Sequence, residues 1–144
     1  MVQYLMFEDG RILTDPLFHK PKEQNRIINR LSSVVEFIDN HFAEDIALKD
    51  LALQCYLCPA YFIREFKKEY NVSPYRYLIN RRLDEAKELL YDKKITIKEI
   101  CNKVGYEDIC SFSKLFKRRF GLSPESFRKT LDQKENACSI PPFS

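Results

Sequence analysis

Ala60, Tyr61, Ile63, Arg64, Lys67 and Lys68 recur at helical spacing, and Cys110, Ser111, Ser113, Lys114, Lys117 and Arg118 do so again fifty residues later. Each set gathers cations, with small polar or apolar neighbours, on one side of a helix. Arg64 and Lys114 hold equivalent places, and either can donate to guanine O6 and N7; Ala60 and Ile63 can make only apolar contact, for example with a thymine methyl. Lys117 and Arg118 lie near the end of the second helix, where cations reach phosphates, while Lys67 continues the outward stripe of the first and Lys68 stands beside it. A single cation of this kind is ordinarily a solvated helix face. Its recurrence with the same neighbours points to one surface built twice.

No competing chemistry emerges. There is no Ser/His/Asp set, no phosphate loop and no metal cluster, and His19 and His41 stand outside any ligand spacing. Cys55-Tyr-Leu-Cys58 has no second pair to complete a zinc site, so the thiols are expected to be small buried or turn residues. Glu65 and Glu69 sit at i, i+4 beside Lys67 and Lys68, an ordinary surface pattern. The expectation is a protein that is not an enzyme, with no cofactor and no metal.

The two sets need elements to carry them, and the sequence supplies those in duplicate. Phe62 and Phe112, Phe66 and Phe116, and Pro74 and Pro124 are each separated by fifty, while Ile46, Leu48 and Leu51 match Ile95, Ile97 and Ile100 at forty-nine. Asn71 falls where Gly121 does, and these are the two residues that best tolerate the left-handed conformation ending a helix. Ser73-Pro74 and Ser123-Pro124 then read as an N-cap followed by a first helical residue.

In chain order, residues 1–25 form an extension or linker, in which Asp9-Gly10 suggests a short hairpin. Ile27, Ile28, Leu31, Val34, Val35, Ile38 and Phe42 trace a first helix. A first helix-turn-helix unit is predicted over about 46–73, a linking helix over about 74–91 and a second unit over about 95–122, opened by a capping box of Thr96 and Glu99 with Gly105 in its turn. A last helix runs to about Leu131, and 132–144 read as a flexible tail.

The 144 residues suit one domain, with 44% hydrophobic and 31% charged residues and 11 Phe and 8 Tyr for a core. No apolar run approaches the roughly 20 residues that span a bilayer, so no membrane partner is expected. Net charge is only +3, and any anionic partner must therefore be met by local basic faces. From Ser111 to Thr130 the cations Lys114, Lys117, Arg118, Arg119, Arg128 and Lys129 face Glu125 alone. Five irregularly spaced cysteines without a secretory signal indicate a reducing compartment, the cytoplasm.

Phe112-Ser-Lys-Leu-Phe-Lys-Arg-Arg-Phe-Gly-Leu-Ser-Pro124, with Val104-Gly-Tyr106 before it and Arg82-Leu-Asp-Glu-Ala-Lys-Glu-Leu-Leu90 on the linking helix, resembles the AraC/XylS family of transcription regulators over roughly residues 26–131. The resemblance implies an all-α, seven-helix domain of two helix-turn-helix subdomains joined by a long central helix. It also implies binding of double-stranded promoter DNA, with activation of transcription through contact with RNA polymerase. The base-facing positions fall on Ala60, Ile63 and Arg64 and on Cys110, Ser113 and Lys114; Ile63 and Cys110 depart from the polar residues usual there. Similar proteins mostly carry an effector or dimerisation domain as well, so the chain is either a short member or a fragment of a longer regulator, with self-association or a further effector domain as the partners left open. From the interaction class, the alternative is a helical adaptor or anti-activator whose basic stripes meet an acidic protein.

Overall fold

A computed structural model describes residues 21–138 and contains, among these, seven helices and no strand: α1 (Pro21–His41), α2 (Leu48–Gln54), α3 (Pro59–Tyr70), α4 (Pro74–Leu89), α5 (Ile97–Lys103), α6 (Ile109–Phe120) and α7 (Pro124–Cys138). The all-α architecture expected from the sequence is the one observed. The hairpin suggested at Asp9-Gly10 lies outside the described residues.

Two clusters of buried side chains define two units. The first gathers Ile27, Leu31, Val34 and Ile38 of α1 with Leu51 and Ala52 of α2, Phe62 and Phe66 of α3 and Leu78 of α4. The second gathers Ile79, Leu83 and Ala86 of α4 with Ile100 and Cys101 of α5 and Phe112 and Phe116 of α6. Thus α4 serves unit two as α1 serves unit one. Phe42, in the loop after α1, packs against both clusters.

The repeat extends to individual contacts. Ring pairs Phe62–Phe66 and Phe112–Phe116 lie 5.8 and 6.0 Å apart, and Phe66–Tyr77 and Phe116–Phe127 both 5.8 Å. The inter-helix turns close with Leu57 N donating to Ala52 O and Tyr106 N to Cys101 O, each at 3.0 Å. Both α3 and α6 end on a left-handed residue, Asn71 (φ 61°) and Gly121 (φ 81°), whose N–H caps the carbonyl of Lys67 or Lys117. Thr96 and Glu99 form the expected capping box of α5, and the Ser73 hydroxyl accepts from Arg76 N at the start of α4.

Two boundaries differ from expectation. Helix α1 begins at Pro21, a residue suited to a first turn, so the last five residues assigned to the extension are helical. Helix α7 passes Leu131 and continues to Cys138, because Lys93 in the α4–α5 loop reaches Asp132 (2.8 Å) and Glu135 (2.6 Å) and anchors residues that local periodicity leaves unassigned.

Candidate nucleic-acid interface

The core phenylalanines of α3 and α6 fix which side chains face out. On α6, Cys110, Ser111, Lys114, Lys117 and Arg118 are exposed and Ser113 is half-buried. On α3, Ala60, Arg64, Lys67 and Lys68 are exposed, whereas Tyr61 and Ile63 are half-buried and pack against the first core. Tyr61 and Ile63 therefore lie on the flank of the stripe, with part of each side chain committed to the core. The ends of both helices border one open groove along α4, lined by Tyr70, Val72 and Arg119 together with Tyr77, Asn80, Arg81 and Asp84 of α4.

Two of the three cations of α3 flank a carboxylate. Glu65 is only 3% exposed, with Arg64 Nε 3.7 Å and Lys68 Nζ 3.8 Å from its oxygens. The Arg64 guanidinium also lies over the Tyr61 ring, 4.9 Å from its centre. Burial, and then the Glu65 charge, push the Tyr61 hydroxyl above its ordinary pKa, with Arg64 acting in the opposite sense. The surface role expected for Glu65 is thus corrected: it is a buried carboxyl with two of the stripe's cations at ion-pair distance. Its counterpart fifty residues later is Leu115, an apolar residue, and that pairing was the available signal for burial.

Helix α6 is organised differently. The Asp108 carboxylate accepts from Cys110 N (3.1 Å), Ser111 N (2.9 Å) and Ser111 Oγ (2.5 Å), capping the helix. The Ser111 hydroxyl, then the backbone donors, hold the Asp108 pKa below the usual carboxylate value. The Ser111 proton is therefore engaged within the cap. Arg119, one of the cations counted between Ser111 and Thr130, makes a bidentate pair with Asp84 of α4 through Nε (3.1 Å) and Nη2 (2.8 Å), and Arg128 is half-buried. Like Arg119, Lys114, Lys117, Arg118 and Lys129 are exposed, and they are the exposed cations of this stretch outside the Asp84 pair.

Among the cysteines described, Cys55 and Cys101 are buried, Cys58 is half-buried and Cys110 is exposed. Burial raises the Cys55 thiol to about 11, against a smaller opposing effect of Arg30. No group of three His, Cys, Asp or Glu side chains suited to a metal occurs among the described residues, and none of their helices is long and apolar enough to cross a membrane.

Residues 51–130, spanning both helix pairs and the helix between them, match the family described as a helix-turn-helix domain. The chain belongs to the AraC/XylS family of transcription regulators. Its family and fold are those of regulators and not of enzymes. It is 36% identical over 99 residues to the uncharacterized HTH-type transcriptional regulator YdiP of Escherichia coli, covering 69% of this chain and 33% of that one. With the Msm operon regulatory protein of Streptococcus mutans it shares 32% over 116 residues, covering 81% of this chain and 42% of the relative. The chain thus spans a third to less than half of the length of these curated AraC/XylS relatives.

Among solved structures, the DNA-binding domain of AdpA, crystallised in complex with a target DNA, is similar with a TM-score of 0.69 at 25% identity, covering 72% of this chain and 94% of that one. The C-terminal domain of the response regulator AraT from Geobacillus stearothermophilus gives 0.66 at 29% identity, covering 80% and 90%.

Proposed function

We propose that this domain binds promoter DNA by inserting α3 and α6 into adjacent major-groove segments, and that the protein containing it activates transcription, in part through contact with RNA polymerase. The observation that carries the reading is the duplicated helix whose exposed stripe is cationic in both copies, set on a single helix that belongs to both cores. The 16 residues of α4 span about 24 Å. With the width of the helices at its ends, this suits recognition elements about one DNA turn, or 34 Å, apart.

In this reading Arg64 and Lys114 meet base edges, with Ala60, Cys110 and Ser113 as short neighbours that let the backbone approach. Lys67, Lys68, Lys117 and Arg118 hold phosphates. Tyr61, Ile63 and Ser111 support the readers: Tyr61 lies beneath Arg64, Ile63 seats α3 on its core and Ser111 closes the α6 cap. Similarity to AdpA, whose domain was crystallised on target DNA, supports the docking mode.

Binding to selected and random duplexes at several salt concentrations tests the proposal. Several phosphate contacts should make log affinity fall steeply and linearly with log salt. Footprinting should then show two protected segments per chain. Salt-insensitive or absent binding, with capture of an acidic protein instead, would favour the adaptor; a single protected segment would refute the two-helix docking.

A further inference from the structure

We propose that Arg82, at the joint between the two units, fixes the relative placement of α3 and α6 and so determines the spacing of DNA segments the domain accepts. The inference rests on the two-segment DNA reading above and adds a spacing-determining residue to it.

Arg82 lies midway along α4, and its guanidinium serves three carbonyls from two units. Nε donates to Phe42 O (2.6 Å) and Nη2 to Glu44 O (2.7 Å), both in the loop leading from α1 to α2 of unit one. Nη1 donates to Gly105 O (3.2 Å), in the turn leading to α6 of unit two. The backbones themselves meet at this seam: a Cβ on Gly105 would stand 2.6 Å from Ala43 O, and Gly105 also has φ +87°. Gly105 is four residues before Ile109, the first residue of α6, so the turn held by Arg82 directs the recognition helix.

Unit one contains a partial counterpart. Arg30 of α1 donates to Cys55 O at 3.4 Å and lies 5.1 Å from the centre of the Tyr56 ring, as Arg82 lies 5.4 Å from that of Tyr106. One bond to the local turn is therefore common to both units. The bonds to Phe42 and Glu44 are additional, and they reach the other unit. A planar guanidinium presents several donors in a fixed fork, which an ammonium cannot reproduce, so lysine would keep charge while losing the triple contact.

The full chain is first used to select a two-segment site from random duplexes. Wild type, Arg82→Leu and Arg82→Lys are then measured on that site, on the same site with one base pair inserted between segments, and on each segment alone. One base pair moves the second segment by about 3.4 Å and about 35° around the axis. Wild type should lose about tenfold on insertion, because two linked modules gain affinity only when geometry lets both engage. Arg82→Leu should bind the two-segment site about tenfold more weakly and discriminate the spacings by less than about threefold, while binding each single segment within about twofold of wild type. Arg82→Lys should fall between them.

Undiminished spacing discrimination in Arg82→Leu overturns the proposal. So does a loss on single segments as large as on the full site, which would make Arg82 a packing residue of unit two. If Arg82→Leu does not fold, Arg82→Lys decides by the same criteria. A wild type that selects no two-segment site at all would instead refute the docking mode on which the inference rests.

Discussion

The two helix-turn-helix units share an aromatic skeleton and differ in how the chain around it is held. In unit two the helices start on side chains that satisfy their free N–H groups: Thr96 with Glu99 for α5, and Asp108 for α6. In unit one the corresponding positions are Ala47 and Cys58, and neither makes a side-chain cap. The turn of unit two uses Gly105 in the left-handed region, while unit one places Tyr56 there, at φ 55°. Unit one packs on α1 as unit two packs on α4, and it alone places a buried carboxylate, Glu65, beside two of its cations, Arg64 and Lys68. Side-chain caps thus mark the helix starts of the second unit and not those of the first. The exposed stripes differ as well, one with Arg64 held against Tyr61 and one with Lys114 on a capped, thiol-bearing helix.

The sharpest test of likeness is the shared skeleton. Phe66→Ala and Phe116→Ala, equivalent and both fully buried, should each lower stability by about 3–5 kcal/mol in urea unfolding. A much smaller cost for one would show that its core tolerates collapse and that the repeat is geometric only. On DNA, Arg64→Ala should cost about 1–3 kcal/mol on the selected site and relax preference at one base pair, with little loss on random duplex. Lys117→Ala should weaken both DNAs alike and reduce the salt slope by about one unit. Equal losses for Arg64→Ala on both DNAs would make Arg64 a phosphate clamp.

The difference in capping gives the next effects. Thr96→Ala should cost about 1 kcal/mol, whereas unit one has already lost the equivalent bond at Ala47. The Glu99 carboxyl is held below its usual value by the backbone N–H and then the hydroxyl of Thr96, as Asp108 is by Ser111. Such depressed carboxyls contribute fully above their unfolded values, about 4, and the contribution is lost as pH falls through the folded values. Hydrogen exchange below pH 4 should therefore open the first turns of α5 and α6 before those of α2 and α3. The smallest change is Tyr56→Gly, which removes a left-handed penalty of about 1 kcal/mol but also the contact with Arg30, for a net change under about 1 kcal/mol.

What was legible in the sequence was local or repeated. Asn71, Gly121, Thr96 and Glu99 announce helix ends within four residues, and the phenylalanine spacing fixes the buried face of each helix. The features not legible join residues far apart: Lys93 with Asp132 and Glu135, Arg119 with Asp84, and Arg82 with Phe42 and Glu44. Periodicity carries no information about such pairs. The burial of Glu65 was legible only by setting it against Leu115, since a carboxylate between lysines otherwise reads as solvated surface. The outward cations of α3 and α6 are legible as residue types, but that Tyr61 and Ile63 are half claimed by the core is visible only once the helices are packed.

Helix α4 passes from one core to the other between neighbouring residues, Leu78 and Ile79, and Phe42 belongs to both cores. No linker lies between the units at which one half could melt while the other stands. Loss of either core frays α4 from one end and strips Phe42 of half its neighbours, so the two halves should unfold in a single cooperative transition. Their contacts are largely between helices adjacent in sequence, which favours rapid folding and rapid recovery after partial opening. Cutting the chain between Leu78 and Ile79 would not give two equal halves: the first core would keep all its side chains with α4 cut short beside them, while the second would lose Phe42 and the first turn of the helix it packs on.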